Sequence, residues 1–247
     1  MPREWWETFF AGSWLDYQRG MDTPERVKPA ADFLEIALRL EPGSRILDAP
    51  CGEGRLGREL ARRGHHVTGL DASAVLLREA KRRAGAEGLT MDLQRGDMRR
   101  GPAGRRGYDL AVCWWSSFGY FSDADNLRHV KAMARSLRAG GIFVFDGHSS
   151  ETIFPRFEER QWEEVGGVLA TSLNEYDPYS GRLETEWTLN KGGRTRRACS
   201  SVRLYTVHEL WALFTEAGFA DCQCFGSLAG EPLDFDSRRL IFVARKG

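Results

Sequence analysis

The stretch Arg45–Leu60, RILDAPCGEGRLGREL, decides the fold. Its apolar start predicts a strand, its glycines predict a turn, and the residues that follow predict a helix. A strand, glycine turn and helix in this order present backbone N–H groups to a nucleotide-like ligand. Gly52, Gly54 and Gly57 spell G-x-G-x-x-G. Asp71 follows Gly52 by nineteen residues, so the literal spacing is also that of a dinucleotide-binding turn.

Around this stretch, strand-like and helix-like segments alternate. The predicted strands are Arg45–Ala49, His66–Asp71, residues 90–94, Asp109–Trp114 and Gly141–Asp146, and the predicted helices are Arg55–Arg63, Ala74–Ala86 and Asp123–Leu137. Short apolar strands separated by amphipathic helices predict a parallel sheet with helices on both faces. We therefore expect an α/β core over residues 44–149.

The flanking segments have different patterns. Residues 1–43 predict a helical cap that includes a helix from Pro29 to Leu40. Residues 150–205 contain three strand-like runs separated by turn residues, which predicts an antiparallel β insertion that we call the lid. Residues 206–247 return to the core through a helix at Val207–Ala217, with Thr206 and Glu209 forming a capping box, and two final strands. The runs of the lid are Trp162–Tyr176, Arg182–Asn190 and Thr195–Tyr205, and the final strands are Phe219–Phe225 and Arg238–Ala244.

Composition excludes several classes of function. The 247 residues have a formal net charge of zero, which disfavours nucleic-acid binders that depend on a positive field. The five cysteines lack C-x-x-C spacing and the five histidines lack ligand spacing, so we expect neither a disulfide framework nor a metal site. With no apolar run long enough to span a membrane and no signal segment, a cytoplasmic location is expected.

Asp48 decides which nucleotide-like ligand fits the turn. A dinucleotide would bring a dianionic pyrophosphate against this carboxylate, which would repel it. S-adenosylmethionine instead brings an ammonium and a sulfonium with a single carboxylate, so its net charge is positive. A carboxylate at the end of the first strand therefore favours a cationic nucleoside, and Gly57 becomes a helix-packing residue rather than a ligand contact.

Further motifs occur in the order and spacing of one family. They are D-x-x-C-G-x-G from Asp48, V-T-G-L-D ending at Asp71, G-D at Asp97, Y-D at Asp109, and L-x-x-G-G ending at Gly141. Together they resemble the class I S-adenosylmethionine-dependent methyltransferases over residues 46–146, and the resemblance resumes between residues 203 and 243. It implies a Rossmann-like, doubly wound, mostly parallel seven-stranded sheet with an antiparallel last strand. The cofactor would be S-adenosylmethionine, and its product S-adenosylhomocysteine.

The resemblance also implies which residues bind the cofactor. Asp71 would accept the ribose hydroxyls, Asp97 the adenine amino group, and Met98 would pack on the ring. The family usually has glycine at position 50, where this chain has proline, a variant that the turn tolerates if that residue donates no essential N–H. The full expected set is Tyr17, Asp48, Ala49, Pro50, Cys51, Gly52, Gly54, Asp71, Ala72, Asp97, Met98 and Trp114.

Loops after the fourth and fifth strands should face the acceptor. His148 would act as a general base, or else only hydrogen-bond the backbone of its loop. Asp146 would fix the acceptor, orient His148 or cap the loop. The expected catalytic residues are His148, Tyr120 and Asp146, and the expected substrate contacts are Phe118, Tyr120, His148, Arg203 and Tyr205, of which the last two could equally be structural.

The sequence thus predicts an enzyme that methylates N, O or C of a small-molecule acceptor by direct displacement. The alternatives are a methyltransferase of tRNA, rRNA or protein, an NAD-dependent oxidoreductase, and a non-catalytic binding protein of the same fold. The protein would be a monomer or a homodimer formed through the lid, with neither nucleic acid nor membrane as a partner.

Overall fold

The computed structural model describes residues 4–104 and 107–247. The first three residues of the predicted cap lie outside this range. The strands, in chain order, are β1 (Arg45–Asp48), β2 (His66–Asp71), β3 (Asp92–Arg95), β4 (Tyr108–Cys113), β5 (Leu137–Gly147), β6 (Arg160–Val165), β7 (Val168–Asp177), β8 (Arg182–Lys191), β9 (Arg194–Arg203), β10 (Phe219–Phe225) and β11 (Leu240–Lys246).

The helices connect these strands or precede them. They are α1 (Trp6–Phe9), α2 (Ser13–Gly20), α3 (Pro24–Asp32), α4 (Arg55–Arg62), α5 (Ala74–Ala86), α6 (Asp123–Ser136), α7 (Ser150–Ile153) and α8 (Val207–Glu216). A π-helical turn, Phe33–Ala37, continues α3, and a 3₁₀ turn, Phe154–Arg156, follows α7. In the described part of the chain, no helix combines the length and the apolar character needed to cross a lipid bilayer.

The predicted fold class is confirmed. The central sheet has the strand order β10-β11-β5-β4-β1-β2-β3. Among the described strands of this sheet, β11 alone runs in the opposite direction, and it pairs antiparallel with β5 on one side and β10 on the other. The sheet is therefore mostly parallel, and the last strand of the chain is the antiparallel one.

Alternation along the strands divides the core into two layers. Leu47, Ala111 and Phe143 pack toward α6 and α8, whereas their neighbours Ile46, Leu110 and Ile142 pack toward α3 and α4. Successive side chains of a strand point to opposite faces, so both faces of this sheet are covered by helices. Side-chain caps start α5 at Ser73 and α6 at Ser122, and the capping box of Thr206 and Glu209 at α8 is present as predicted.

The lid is a separate antiparallel sheet in the order β6-β7-β8-β9. It packs on the amino-terminal helices, where Trp14 lies 5.1 Å from Trp187 between ring centroids. Arg196 of β9 donates hydrogen bonds to the backbone oxygens of Thr8, Phe9 and Ala11. The lid therefore holds α1 and α2 in place against the core.

Two predictions about local structure are wrong. The run Trp162–Tyr176 is two strands, β6 and β7, because Gly166 and Gly167 adopt φ values of +60° and +72° and reverse the chain. The second helix of the cap begins at Pro24 rather than at Pro29. Proline favours the first turn of a helix, and Pro24 occupies that position while Pro29 lies in the interior.

Candidate active site

A cavity of about 710 Å³ opens at the carboxyl edge of the central sheet. This volume is in the range of small-molecule sites. Its walls come from the turns after β1, β2, β3 and β4 and from the amino-terminal helices. The carboxyl ends of parallel strands meet at one edge, which explains why these turns converge. Of the expected site residues, the walls include Pro50, Cys51, Gly52, Asp71, Ala72, Asp97, Met98, Trp114 and Tyr120.

Asp71 joins the glycine turn to the end of β2. One carboxylate oxygen accepts the backbone N–H of Gly52 at 2.9 Å, and the other accepts that of Ser73 at 2.8 Å. Burial raises the pKa of Asp71, and these two N–H groups oppose that effect. A carboxylate has about four acceptor positions, so Asp71 can also accept a pair of ribose hydroxyls. Gly52 has a φ of +54°, and a Cβ there would meet no atom within 4 Å, so the turn leaves space for a ligand.

Asp48 lies buried beneath the glycine turn rather than on the cavity wall. Burial and the charge of Asp71 raise the pKa of Asp48 to about 7, against the effects of the Gly57 N–H and of Arg55. A Cβ on Gly57 would lie 2.5 Å from Cε of Met91 and 3.2 Å from Oδ2 of Asp48, so the third glycine occupies a closely packed position between these two side chains. The charge on Asp48 can therefore respond to a cation in the cavity.

The residues between Asp48 and Gly52 fill the base of the turn. Ala49 donates its N–H to Val112, and the Ala49–Pro50 peptide bond is cis. Cys51 is buried, and the absence of a side chain at Gly69 makes room for its sulfur. Burial, together with the charges of Asp48 and Asp71, raises the pKa of the Cys51 thiol, which keeps it protonated.

The turn after β3 also lines the cavity. Met98 is buried there beside Asp97. Although burial opposes it, Arg99 lowers the pKa of Asp97 through hydrogen bonds, one of them 2.6 Å long from Nη2. Asp97 therefore stays ionised and can accept a further donor on its exposed side.

Aromatic side chains form the opposite wall. Trp6, Phe10 and Tyr120 line the cavity, and Trp5 packs against Tyr120 with ring centroids 4.7 Å apart. The Tyr120 hydroxyl lies 3.4 Å from Oγ of Ser117, and burial raises the pKa of this phenol. Aromatic side chains such as these favour contact with apolar or cationic groups.

Neither Asp146, near the end of β5, nor His148, directly after this strand, is among the residues that line the cavity. Asp146 is buried, pairs with Arg239, and accepts the backbone N–H of Trp115. His148 has an exposed side chain, but the protein around it desolvates the imidazole and lowers its pKa, while Asp146 opposes that effect. Asp146 thus occupies the position of a loop cap.

Five other expected residues also lie outside the cavity wall. Gly54 is the N-cap of α4 with a φ of +72°. Tyr17 donates its hydroxyl to Glu163 of the lid. Phe118 stacks on Phe145 in the core, Arg203 pairs with Glu209, and Tyr205 donates to Asp123 while accepting from Asn126.

The cavity also contains residues that the sequence did not single out, among them Arg55 and Trp115. Arg55 directly follows Gly54, and Trp115 directly follows Trp114, so adjacency to predicted site residues was the available signal. Within the described ranges, no group of three His, Cys, Asp or Glu side chains is placed to hold a metal ion.

Comparisons with known proteins bear on this site. Residues 46–141 match the family model of a methyltransferase domain. The chain is 33% identical over 217 residues to the putative methyltransferase YqeM of Bacillus subtilis (strain 168), covering 85% of this chain and 87% of that protein. It is 27% identical over 201 residues to the dTDP-3-amino-3,6-dideoxy-alpha-D-glucopyranose N,N-dimethyltransferase of Streptomyces fradiae, covering 78% of this chain and 77% of that enzyme.

Among solved structures, an S-adenosylmethionine-dependent methyltransferase from Clostridium acetobutylicum ATCC 824 has the same fold. Its TM-score is 0.80 at 18% sequence identity, with 96% of this chain and 100% of that chain covered.

Proposed function

The chain belongs to the class I S-adenosylmethionine-dependent methyltransferases, and on that premise we propose that it methylates a nitrogen, oxygen or carbon atom of a small-molecule acceptor. The observation that carries the proposal is the cavity in which Asp71 and the open glycine turn face an aromatic wall. On this proposal the nucleoside lies along the strand ends, and the acceptor lies in the part of the cavity that Tyr120 lines.

The residues present fit the cofactor. When bound, S-adenosylmethionine supplies an electrophilic methyl carbon, which forms a bond to the acceptor as its bond to sulfur breaks, leaving S-adenosylhomocysteine. Asp71 would bind the ribose hydroxyls, and Met98 and Ala72 would enclose the adenine near Asp97. The backbone at Cys51 and Gly52 would lie along the methionine part, which Trp114 would flank.

An amine is the acceptor that the cavity supports best. A neutral amine attacks through its own lone pair, so orientation and exclusion of water supply most of the acceleration. Among the described residues that line the cavity there is no histidine, and the Cys51 thiol stays protonated. The similarity to an amino-sugar N,N-dimethyltransferase supports the same choice. For a hydroxyl acceptor, we propose His148 as the base, with Asp146 and Tyr120 positioning it and the acceptor.

Calorimetric titration with S-adenosylhomocysteine tests the cofactor site. We expect binding by the wild type and at least a tenfold weaker affinity in Asp71→Asn, because the amide cannot accept from both backbone and ribose donors as the carboxylate does. Asp221→Asn changes an exposed carboxylate on β10 and serves as the matched control. A wild type that binds no S-adenosylhomocysteine would refute the proposal.

A methylation screen with mass detection tests the acceptor. The panel would contain amino sugars, other primary amines, hydroxyl compounds, tRNA, rRNA and a protein extract. We expect methylation of amines, with a rate that His148→Ala changes little. Methylation restricted to RNA or protein would reject the small-molecule proposal, and strong dependence on His148 would indicate a hydroxyl acceptor.

A further inference from the structure

We propose that Arg55 is the anion-recognition residue of the cavity, and that it binds a carboxylate presented by a ligand. The inference rests on the proposed function for the identity of the ligand, but the anion site itself is defined by this chain's own residues. It assigns a role to the first residue of α4, which follows the glycine turn directly.

Arg55 differs from the other cationic residues of the cavity wall. Arg19 pairs with Glu53 at 2.6 Å, and the Nε atom of Arg95 donates to the backbone oxygen of Ala72 at 3.2 Å. Within residues 4–104 and 107–247, the Arg55 guanidinium forms neither a hydrogen bond nor an ion pair. Its donors are therefore available to a ligand, although burial makes an unsatisfied guanidinium unfavourable.

Trp115 holds this guanidinium in place. The central carbon of the Arg55 guanidinium lies 3.9 Å from the centroid of the Trp115 ring, which is a stacking distance. Stacking uses the face of the guanidinium and leaves its edge, with the N–H donors, free for a planar partner. An arginine that is pre-positioned in this way loses little conformational freedom when a carboxylate binds.

The backbone at Trp115 is itself constrained. Trp115 and Ser116 adopt φ values of +54° and +58°, which side-chain-bearing residues rarely do. Asp146 accepts the Trp115 N–H at 3.1 Å through its carboxylate and the Ser116 N–H at 2.9 Å through its backbone oxygen. The loop is thus fixed in the conformation that places the indole beneath Arg55.

The position of Arg55 indicates where the anion comes from. Asp71 and Asp97 mark the nucleoside part of the cavity, and Arg55 lines the same cavity at the start of α4, directly after the glycine turn. A ligand whose nucleoside lies against Asp71 and Asp97 could present its amino-acid carboxylate to Arg55, and an anionic acceptor could present its own anionic group there. Tyr17, which the sequence predicts to bind the cofactor, donates its hydroxyl to Glu163 instead.

The first arm of the test compares two nucleosides by calorimetry. S-adenosylhomocysteine has the amino-acid carboxylate, whereas 5′-methylthioadenosine lacks the amino-acid group altogether. If the cofactor supplies the anion, Arg55→Gln should bind S-adenosylhomocysteine about 10- to 100-fold more weakly and 5′-methylthioadenosine with unchanged affinity. Arg55→Lys keeps the charge and should lose less, and Arg62→Gln removes the same charge from an exposed position on α4.

The second arm tests an acceptor as the source. Protein saturated with S-adenosylhomocysteine is titrated with acetate and with inorganic phosphate, and the indole fluorescence is followed. If Arg55 is still free in that complex, the wild type should respond to acetate and Arg55→Gln should not.

The outcomes separate the hypotheses. The proposal is supported if Arg55→Gln, but not Arg62→Gln, loses affinity for S-adenosylhomocysteine in the first arm or the response to acetate in the second. The arm in which the loss occurs identifies the source of the anion. Wild-type behaviour of Arg55→Gln in both arms, or an equal loss for both nucleosides, overturns it. If the wild type binds neither nucleoside, the cofactor proposal fails. The anion site is then tested by titrating the free protein with acetate, where a response of the wild type that Arg55→Gln lacks supports it and equal behaviour of the two rejects it.

Discussion

The guanidinium of Arg239 holds the carboxylate of Asp146, with Nε 2.9 Å from Oδ1. The other oxygen of Asp146 accepts the Trp115 N–H at 3.1 Å. Arg239, which directly precedes the antiparallel strand β11, therefore fixes the loop that follows β4 through Asp146 of β5. Arg239 and Asp146 are positioning residues, because they act on the cavity through Trp115.

Removing this carboxylate should destabilise the protein. Asp146→Ala leaves Arg239 without its partner and the Trp115 N–H without its acceptor, which we expect to cost about 2–4 kcal/mol of the free energy of unfolding. Urea denaturation measures the loss. Arg239→Ala should cost less when Asp146 is already alanine, whereas strictly additive costs would show that the pair does not act as a unit.

Asp48 should release a proton when the cofactor binds. Since its pKa is about 7, it is about half protonated at pH 7 in the free protein, and a sulfonium in the cavity should lower that pKa. We expect release of about half a proton per S-adenosylmethionine bound at pH 7. Calorimetry in buffers of different ionisation enthalpy measures this quantity.

Two comparisons control the proton measurement. S-adenosylhomocysteine lacks the sulfonium charge and should release less than S-adenosylmethionine. Asp48→Asn removes the titrating group, so equal release by this variant and the wild type would assign the proton to another residue.

Local patterns were sufficient for much of the fold. The observed bounds of β2, α5 and β10 are identical to the predicted ones. The signals that set them are local, since the periodicity lies within each element, the Ser73 cap directly precedes α5, and the turn at Gly218 directly precedes β10. The division of the first lid run into β6 and β7 was missed. There the reversal depends on Gly166 fitting closely against Gly20 of α2, which is a contact between distant parts of the chain.

Some features of the site could likewise be predicted from the sequence, and others could not. Parallel strand ends must meet, so the proximity of Asp71 to the glycine turn follows from the predicted topology. The topology does not predict that the Arg55 guanidinium lacks an ion-pair partner. This depends on the pairing of Glu53, which binds Arg19 and Arg83 instead. The direction of Tyr17 likewise depends on how α2 docks against the lid.

Gly119 should be required for contact between the lid and the cavity loop. It has a φ of +93°, and a Cβ there would lie 2.5 Å from the backbone oxygen of Arg203. Gly119→Ala should therefore move the loop after β4 away from β9 and displace Tyr120, costing more than about 2 kcal/mol of stability. Thermal unfolding and hydrogen exchange at residues 200–204 would detect the change.

Gly230→Ala is the matched control for that prediction. Gly230 also has a positive φ, +81°, but a Cβ there would meet no atom within 4 Å, so this variant should cost only the backbone strain of about 1–2 kcal/mol. Equal losses in the two variants would show that the close approach of Gly119 to Arg203 contributes nothing.

His129 should make stability depend on pH. Its ring is fully buried between Phe118 and Phe143, and neither ring nitrogen has a hydrogen-bond partner among the described residues. Burial lowers the pKa of His129 from 6.5 to about 4. Between those values the unfolded chain binds the proton that the folded protein excludes, so the free energy of unfolding falls as the pH falls. From pH 7.5 to pH 5 the loss due to this group should be about 2 kcal/mol.

Replacing His129 should remove that part of the pH dependence. His129→Leu keeps an apolar side chain of similar size in the core, and urea denaturation at pH 7.5 and pH 5 should show a difference about 2 kcal/mol smaller than in the wild type. His208→Gln changes an exposed histidine and should leave the difference as it is. An unchanged pH dependence in His129→Leu would mean that the acid sensitivity of the fold originates in other groups.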